Sequence, residues 1–90
     1  MLETLFSESE MNEVLTNSNE IRLFQEFDCY CYLERRPRKT KKFIIKSKIP
    51  MTRRYILFEL YRKGFRLTCN HKFLESLDVY RDTIVWFNGS

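Results

Sequence analysis

The sequence predicts one small α+β domain, with a mainly antiparallel sheet and helices packed on one face. Three observations carry this. Two stretches alternate apolar and polar residues as strands do, two others carry helix caps around an apolar stripe, and only two Gly and two Pro interrupt 90 residues. Residues 1–90 are read as a single domain, because that length suits one modest core and nothing in the chain resembles a linker. Hydrophobic residues make up 43% and aromatic residues 16%, which is too apolar for a chain that stays disordered.

The elements follow in order. Ser7 and Glu10 have the spacing of a capping box, with Phe6 and Met11 at the staple positions around it. This predicts a helix from about Glu8 to Thr16 that buries Met11, Val14 and Leu15 and ends at Asn17–Asn19. Residues 21–34 then alternate. Ile21, Leu23, Phe27, Cys29, Cys31 and Leu33 share one face, with Gln25 the exception, and Phe24, Tyr30 and Tyr32 share the other. Residues 42–49 alternate as well, with Phe43, Ile45, Ser47 and Ile49 on the core side.

Pairing these two strands to place opposite charges across from each other sets Leu33 against Phe43, Cys31 against Ile45 and Phe27 against Ile49. It sets Glu34 against Lys42, Asp28 against Lys48 and Tyr30 against Lys46. Pro37 then falls in the connecting loop. Pro50 ends the second strand, and "MTRRYILFELYRKG" predicts a helix. Thr52 is its N-cap, Ile56, Leu57, Leu60 and Tyr61 its buried stripe, and Gly64 its C′ residue. Residues 65–69 read as a strand, "NHKFLESL" as a helical turn capped by Asn70, and "DVYRDTIVWF" as one strand or a hairpin turning at Arg81–Asp82.

Charge is unevenly placed. Residues 1–28 carry seven acidic groups against Arg22 alone, residues 29–50 carry eight basic groups against Glu34, and the whole chain is +4. The run "RRPRKTKK" at 35–42 contains six cations in eight residues. With Lys42 and Lys48 assigned to cross-strand pairs, Arg35, Arg36, Arg38, Lys39 and Lys41 remain as a basic hairpin tip at 35–41. Long cationic side chains on a hairpin suit phosphate contacts, and Tyr30 and Tyr32 beside them suit stacking on bases. Arg53, Arg54, Arg62, Lys63, Arg66 and Lys72 widen the footprint if they share that side. The expectation is a non-enzymatic binding protein for RNA or DNA. The alternative is a protein-interaction module or an inhibitor of a nucleic-acid enzyme, such as a viral or phage anti-defence protein, docking on an acidic partner. A homodimer, with the acidic N-terminal helix against a neighbour's basic tip, is the further arrangement that charge suggests.

Metal and catalytic readings are weaker. Cys29, Cys31, Cys69 and His71 amount to four zinc-ligand types, yet strand-borne C-x-C is a poor match to the usual spacing, and buried free thiols account for the cysteines. No cofactor is expected. His71 is the single His, with no triad spacing and no phosphate-cradling Gly loop around it. Residues 64–80, "GFRLTCNHKFLESLDVY", resemble part of the tRNA-splicing endonuclease catalytic domain through Gly64, Phe65, Lys72, Phe73, Val79 and Tyr80. In that family a Tyr at the place of Tyr80 joins a catalytic trio with a following His and a later Lys. Here no His follows Tyr80 and the second glycine of the family's turn is absent, so no activity is carried over. Three cysteines, no secretory apolar segment and no membrane-length apolar run point to an intracellular, reducing compartment without a membrane partner.

Overall fold

The computed structural model describes residues 2–27, 37–67 and 71–89, and for 37–39 the backbone alone. The elements in chain order are α1 (Glu8–Met11), β1 (Val14–Thr16), β2 (Glu20–Phe27), β3 (Pro37–Lys46), β4 (Met51–Thr52), α2 (Arg53–Arg62), β5 (Phe73–Tyr80) and β6 (Thr83–Gly89). The main sheet has the order β3-β2-β6-β5. It consists of two antiparallel hairpins, β2–β3 and β5–β6, joined by a parallel contact of β2 with β6 at Arg22 and Thr83. The sheet is thus mainly antiparallel. β1 and β4 form a separate short ribbon.

Strand alternation builds the core. Ile21, Leu23, Phe43 and Ile45 from the first hairpin meet Leu74, Leu77, Ile84 and Trp86 from the second. Ile56, Leu57 and Leu60 of α2 cover them, and each such burial stabilises by about 1.5–3 kcal/mol. Phe65 joins the two hairpins. Its ring meets Phe43 edge-on at 5.6 Å and Trp86 at 5.2 Å between centroids.

The first helix is shorter than the sequence predicts. The capping box forms: Glu10 N–H donates to Ser7 Oγ at 3.2 Å and Ser7 N–H to Glu10 Oε1 at 3.0 Å. The helix nevertheless stops at Met11, and Val14 and Leu15 lie on β1. One turn of helix is a poor nucleus. β-branched Val14 and Thr16 gain ladder partners on β4 instead, and Val14 is exposed rather than buried. The Ser7 bonds hold the Glu10 carboxyl below its usual pKa. Their contribution to stability is therefore present above the unfolded carboxylate pKa and lost as pH falls through the lower folded one. Glu10→Gln, which removes the titrating carboxylate that accepts from the Ser7 N–H, is expected to flatten the acid dependence of the melting temperature, as read by melting curves between about pH 3 and 6.

The hairpin register also differs. Leu23, ten residues before the expected Leu33, lies opposite Phe43; Ile21 faces Ile45, Phe24 faces Lys42 and Glu20 faces Lys46. This replaces the pairs expected for Leu33, Cys31, Glu34 and Tyr30. Phe27 pairs with Pro37 rather than with Ile49, and Lys48 lies beyond the strand. Both registers keep the same faces together, so alternation cannot separate them. Exposed charge pairs contribute well under about 1 kcal/mol each and were too weak a guide. Residues 28–34, the far part of the expected 21–34 strand, and residues 35–36 of the expected tip lie outside the described residues. Pro37 is strand rather than loop, at the first residue of β3, where a missing N–H is tolerated. Ile49 is 71% exposed rather than in the core, because β3 ends at Lys46 and Ser47 Oγ closes a turn with Ile49 N–H at 3.1 Å.

Helix α2 follows the sequence. Thr52 Oγ1 accepts from Tyr55 N–H at 3.2 Å, and Gly64 adopts φ +96° beyond the C-terminus. Phe65 N–H reaches Leu60 O at 2.9 Å and Gly64 N–H reaches Tyr61 O at 3.0 Å, which together make a Schellman motif. Tyr61, expected in the stripe, is instead at the exposed edge under the Arg66 guanidinium, 4.6 Å from its ring centroid.

Residues 65–67 are not strand. Phe65 is spent on the helix stop and buried there. The expected helical turn in "NHKFLESL" is β5 from Phe73 onward, paired with β6. Leu74 and Leu77 imitate helical spacing because a bulge between Leu74 and Ser76 turns both to the core. The turn at Arg81–Asp82 is where the sequence puts it, with Arg81 at φ 59°.

Candidate nucleic-acid interface

β3 is an outer strand of the sheet, and its lysines alternate between the two faces. Lys41 lies on the α2 side. Its Nζ donates to Gly64 O at 3.4 Å and sits 5.5 Å from the Phe43 ring centroid. An ammonium at a helix C-terminus is favoured by the helix dipole. Lys42 points to the other face, its Nζ 5.5 Å from the Phe24 centroid. Among the described residues, neither Lys41 nor Lys42 is held in an ion pair with a carboxylate.

Lys46 meets Glu20 at 3.6 Å and stays largely exposed. With Ile44, Glu59, Arg62 and Lys63 it lines a cleft of about 410 Å³ between β3 and the end of α2. Arg62 is paired with Glu59 at 2.8 Å in that cleft. A second cleft, of about 670 Å³, is lined by Asn19, Lys46, Ser47, Lys48 and Tyr55, so Lys46 belongs to both. The Schellman motif delivers Arg62 and Lys63 to this side by stopping α2 next to Lys41. The result is a bank of cations along the β3 edge: Lys41, Lys42, Lys46, Lys48, Arg62 and Lys63. Glu20 and Glu59 offset part of the charge, but surface ion pairs of this kind are weak and can be exchanged for a phosphate.

The sequence-predicted residues separate into three groups. Arg35, Arg36, Tyr30 and Tyr32 lie outside the described residues, as do Cys29, Cys31 and Cys69 with the zinc grouping they would form. Arg38 and Lys39 are on β3 by their backbone, so residues 37–41 of the expected tip are strand. Arg53 and Arg54 open α2, a ten-residue helix, and therefore lie about 15 Å from the cations at its other end.

Arg53 is not available to a ligand. Its side chain is 7% exposed. Nε donates to Leu77 O at 3.1 Å, the two terminal nitrogens reach Glu13 at 3.3 Å and Asp78 at 3.2 Å, and one also donates to Glu10 O. The Phe6 ring packs against the guanidinium at 5.0 Å. Arg53 thus ties α1, the turn after it and β5 together. Arg54 is held by Glu8 at 2.6 Å.

Sequence reasoning passed over Lys42, which it set against Glu34, whereas Phe24 lies opposite it. The signal for the cation bank was the glycine stop at Gly64, because it fixes where Arg62 and Lys63 end. No family model matches the chain, and no curated protein or solved structure matches it at a significant level. Among the described residues no helix is long and apolar enough to cross a membrane.

Proposed function

We propose that this chain is a non-enzymatic protein that binds RNA or DNA through its basic hairpin and the cations continuing along β3. The observation that supports this most is the clustering of Lys41, Lys42, Lys46, Arg62 and Lys63 at one outer strand, contiguous in sequence with Arg35, Arg36, Arg38 and Lys39. Phosphates recognise such a bank by charge and release counterions on binding. No catalytic group is assigned in this reading, and no cofactor.

The second reading, docking on an acidic protein, draws on the same edge. An outer strand can accept a further strand through its backbone, with lysines beside it to favour acidic side chains. Fluorescence anisotropy with single-stranded RNA, duplex RNA and duplex DNA over a salt series separates the two. Contact of the tip residues alone with about four or five phosphates contributes about −4 to the slope of log K against log salt, and the cations along β3 steepen it further. Serine at Arg35, Arg36, Arg38, Lys39 and Lys41 is expected to abolish that binding with the fold retained. A complex with an acidic protein that competing nucleic acid leaves intact would transfer the assignment to the second reading.

A further inference from the structure

The face of the main sheet turned away from α2 is not the polar face that a solvated antiparallel sheet usually presents. Leu23 and Trp86 point into the core, so Phe24 on β2 and Val85 and Phe87 on β6 point outward, 44%, 42% and 52% exposed. β2 and β6 are the central strands. Arg22 lies beside Thr83 in their parallel contact, so Phe24, two residues on, lies beside Val85. Ile44, also exposed, is opposite Arg22 and therefore diagonal to Phe24. The exposed apolar groups thus run as one strip from Ile44 through Phe24 and Val85 to Phe87, with Arg22 and Glu26 in its polar rim. A contiguous strip of this kind marks an interaction surface, where scattered apolar residues would not.

The row through the centre of the strip has a direction. Lys42 is paired with Phe24 and Asp78 with Val85, so across the four strands it reads Lys42, Phe24, Val85, Asp78. A cation stands at the β3 end and a carboxylate at the β5 end. Such a row is its own complement when turned end for end. A second copy laid face to face, about a two-fold axis parallel to the strands, sets Lys42 against Asp78 at both ends and Phe24 against Val85 between them. An axis across the strands would set β3 against β3 and bring like charges together. Asp78 accepts from Arg53 at 3.2 Å, yet its side chain is 66% exposed, and a carboxylate has lone pairs for a second cation. Lys42 Nζ, 5.5 Å from the Phe24 centroid, stands at the rim, where an ion pair is weak and can be exchanged for a phosphate.

We propose that this face joins two copies of the chain into a symmetric homodimer. The proposal does not rest on the nucleic-acid reading, and it uses a different surface from the helix-to-tip dimer that charge alone suggests. Lys41, Arg62 and Lys63 lie on the α2 side and stay open to a polyanion in such a dimer. The face is four strands wide, about 19 Å, and about 24 Å long, which is the small end for a specific interface, so a micromolar dissociation constant is expected.

The test is sedimentation velocity on nuclease-treated protein, from about 1 to 500 µM, where monomer should pass into dimer. Val85→Glu, which places an uncompensated carboxylate at the centre of the strip, is expected to raise the dimer Kd at least about tenfold. The orientation is read on the wild type alone, by zero-length carbodiimide coupling in a mixture of isotopically light and heavy protein. Lys42 and Asp78 of one copy are three strand spacings apart, about 14 Å, too far for such a link. A mixed-isotope peptide joining Lys42 to Asp78 is expected. A wild type that stays monomeric over the whole range would overturn the proposal and leave the face to another protein. A dimer indifferent to Val85→Glu, and linked between Glu8–Glu13 and Lys39 or Lys41, would overturn it in favour of the helix-to-tip arrangement.

Discussion

Arg53→Ala is expected to cost about 3 kcal/mol of unfolding free energy, the largest single-residue effect outside the apolar core among the described residues. The size follows from what is left behind. Glu13 and Asp78 are exposed enough to regain water, so their loss of a partner is cheap. Leu77 O is different, because its bond to Nε is buried and a carbonyl stranded there costs about 1–3 kcal/mol. Glu10 O and the packing of the Arg53 stem against Phe6 add to this. A domain of this size has only about 5–15 kcal/mol in total. Urea unfolding should show a lower midpoint with an unchanged slope. Lysine should not rescue the variant, since an ammonium cannot span acceptors on α1 and β5 at once. Arg54→Ala, which loses an exposed pair with Glu8, should stay within about 1 kcal/mol of wild type. If Arg53→Ala matched it, Arg53 would not be a structural clasp.

Serine at Lys42, Lys46, Arg62 and Lys63 is expected to weaken nucleic-acid binding on the order of 10³-fold near physiological salt, with the melting temperature little changed. None of the four is buried. Each cation that contacts a phosphate in the wild type should also take about one unit off the salt slope when removed. Arg54→Ser, at the other end of α2, should leave the slope as it is. An unchanged slope and affinity in the serine variant would mean that these cations make no phosphate contact.

Local signals were legible and long-range ones were not. The Ser7–Glu10 box, the Thr52 cap, the Gly64 stop and the Arg81–Asp82 turn each depend on residues within a few positions, and the structure has all four. The β2–β3 register depends on which apolar pairs fill the core, and two registers of equal parity looked alike until Leu23 and Ile21 took the places given to Leu33 and Cys31. β1 formed because β4, more than thirty residues away, offered it a ladder. Leu74 and Leu77 read as helix because a bulge cannot be seen in spacing alone. Arg53 looked like one more exposed cation. Its partners at Glu10, Glu13 and Asp78 lie 25 to 43 residues away, and no local pattern joins them. For the candidate site, the charge of residues 35–42 was plain in the sequence, whereas its extension by Arg62 and Lys63 needed the fold.

The most direct measurement is an amide and lysine side-chain NMR titration of the isotopically labelled protein with a short single-stranded oligonucleotide at low salt. The account predicts shifts concentrated on residues 38–48 and 62–64, with the α1 and Arg53–Arg54 signals unmoved. Shifts confined to the acidic segment around Glu8–Glu13, or none at millimolar oligonucleotide, would contradict it.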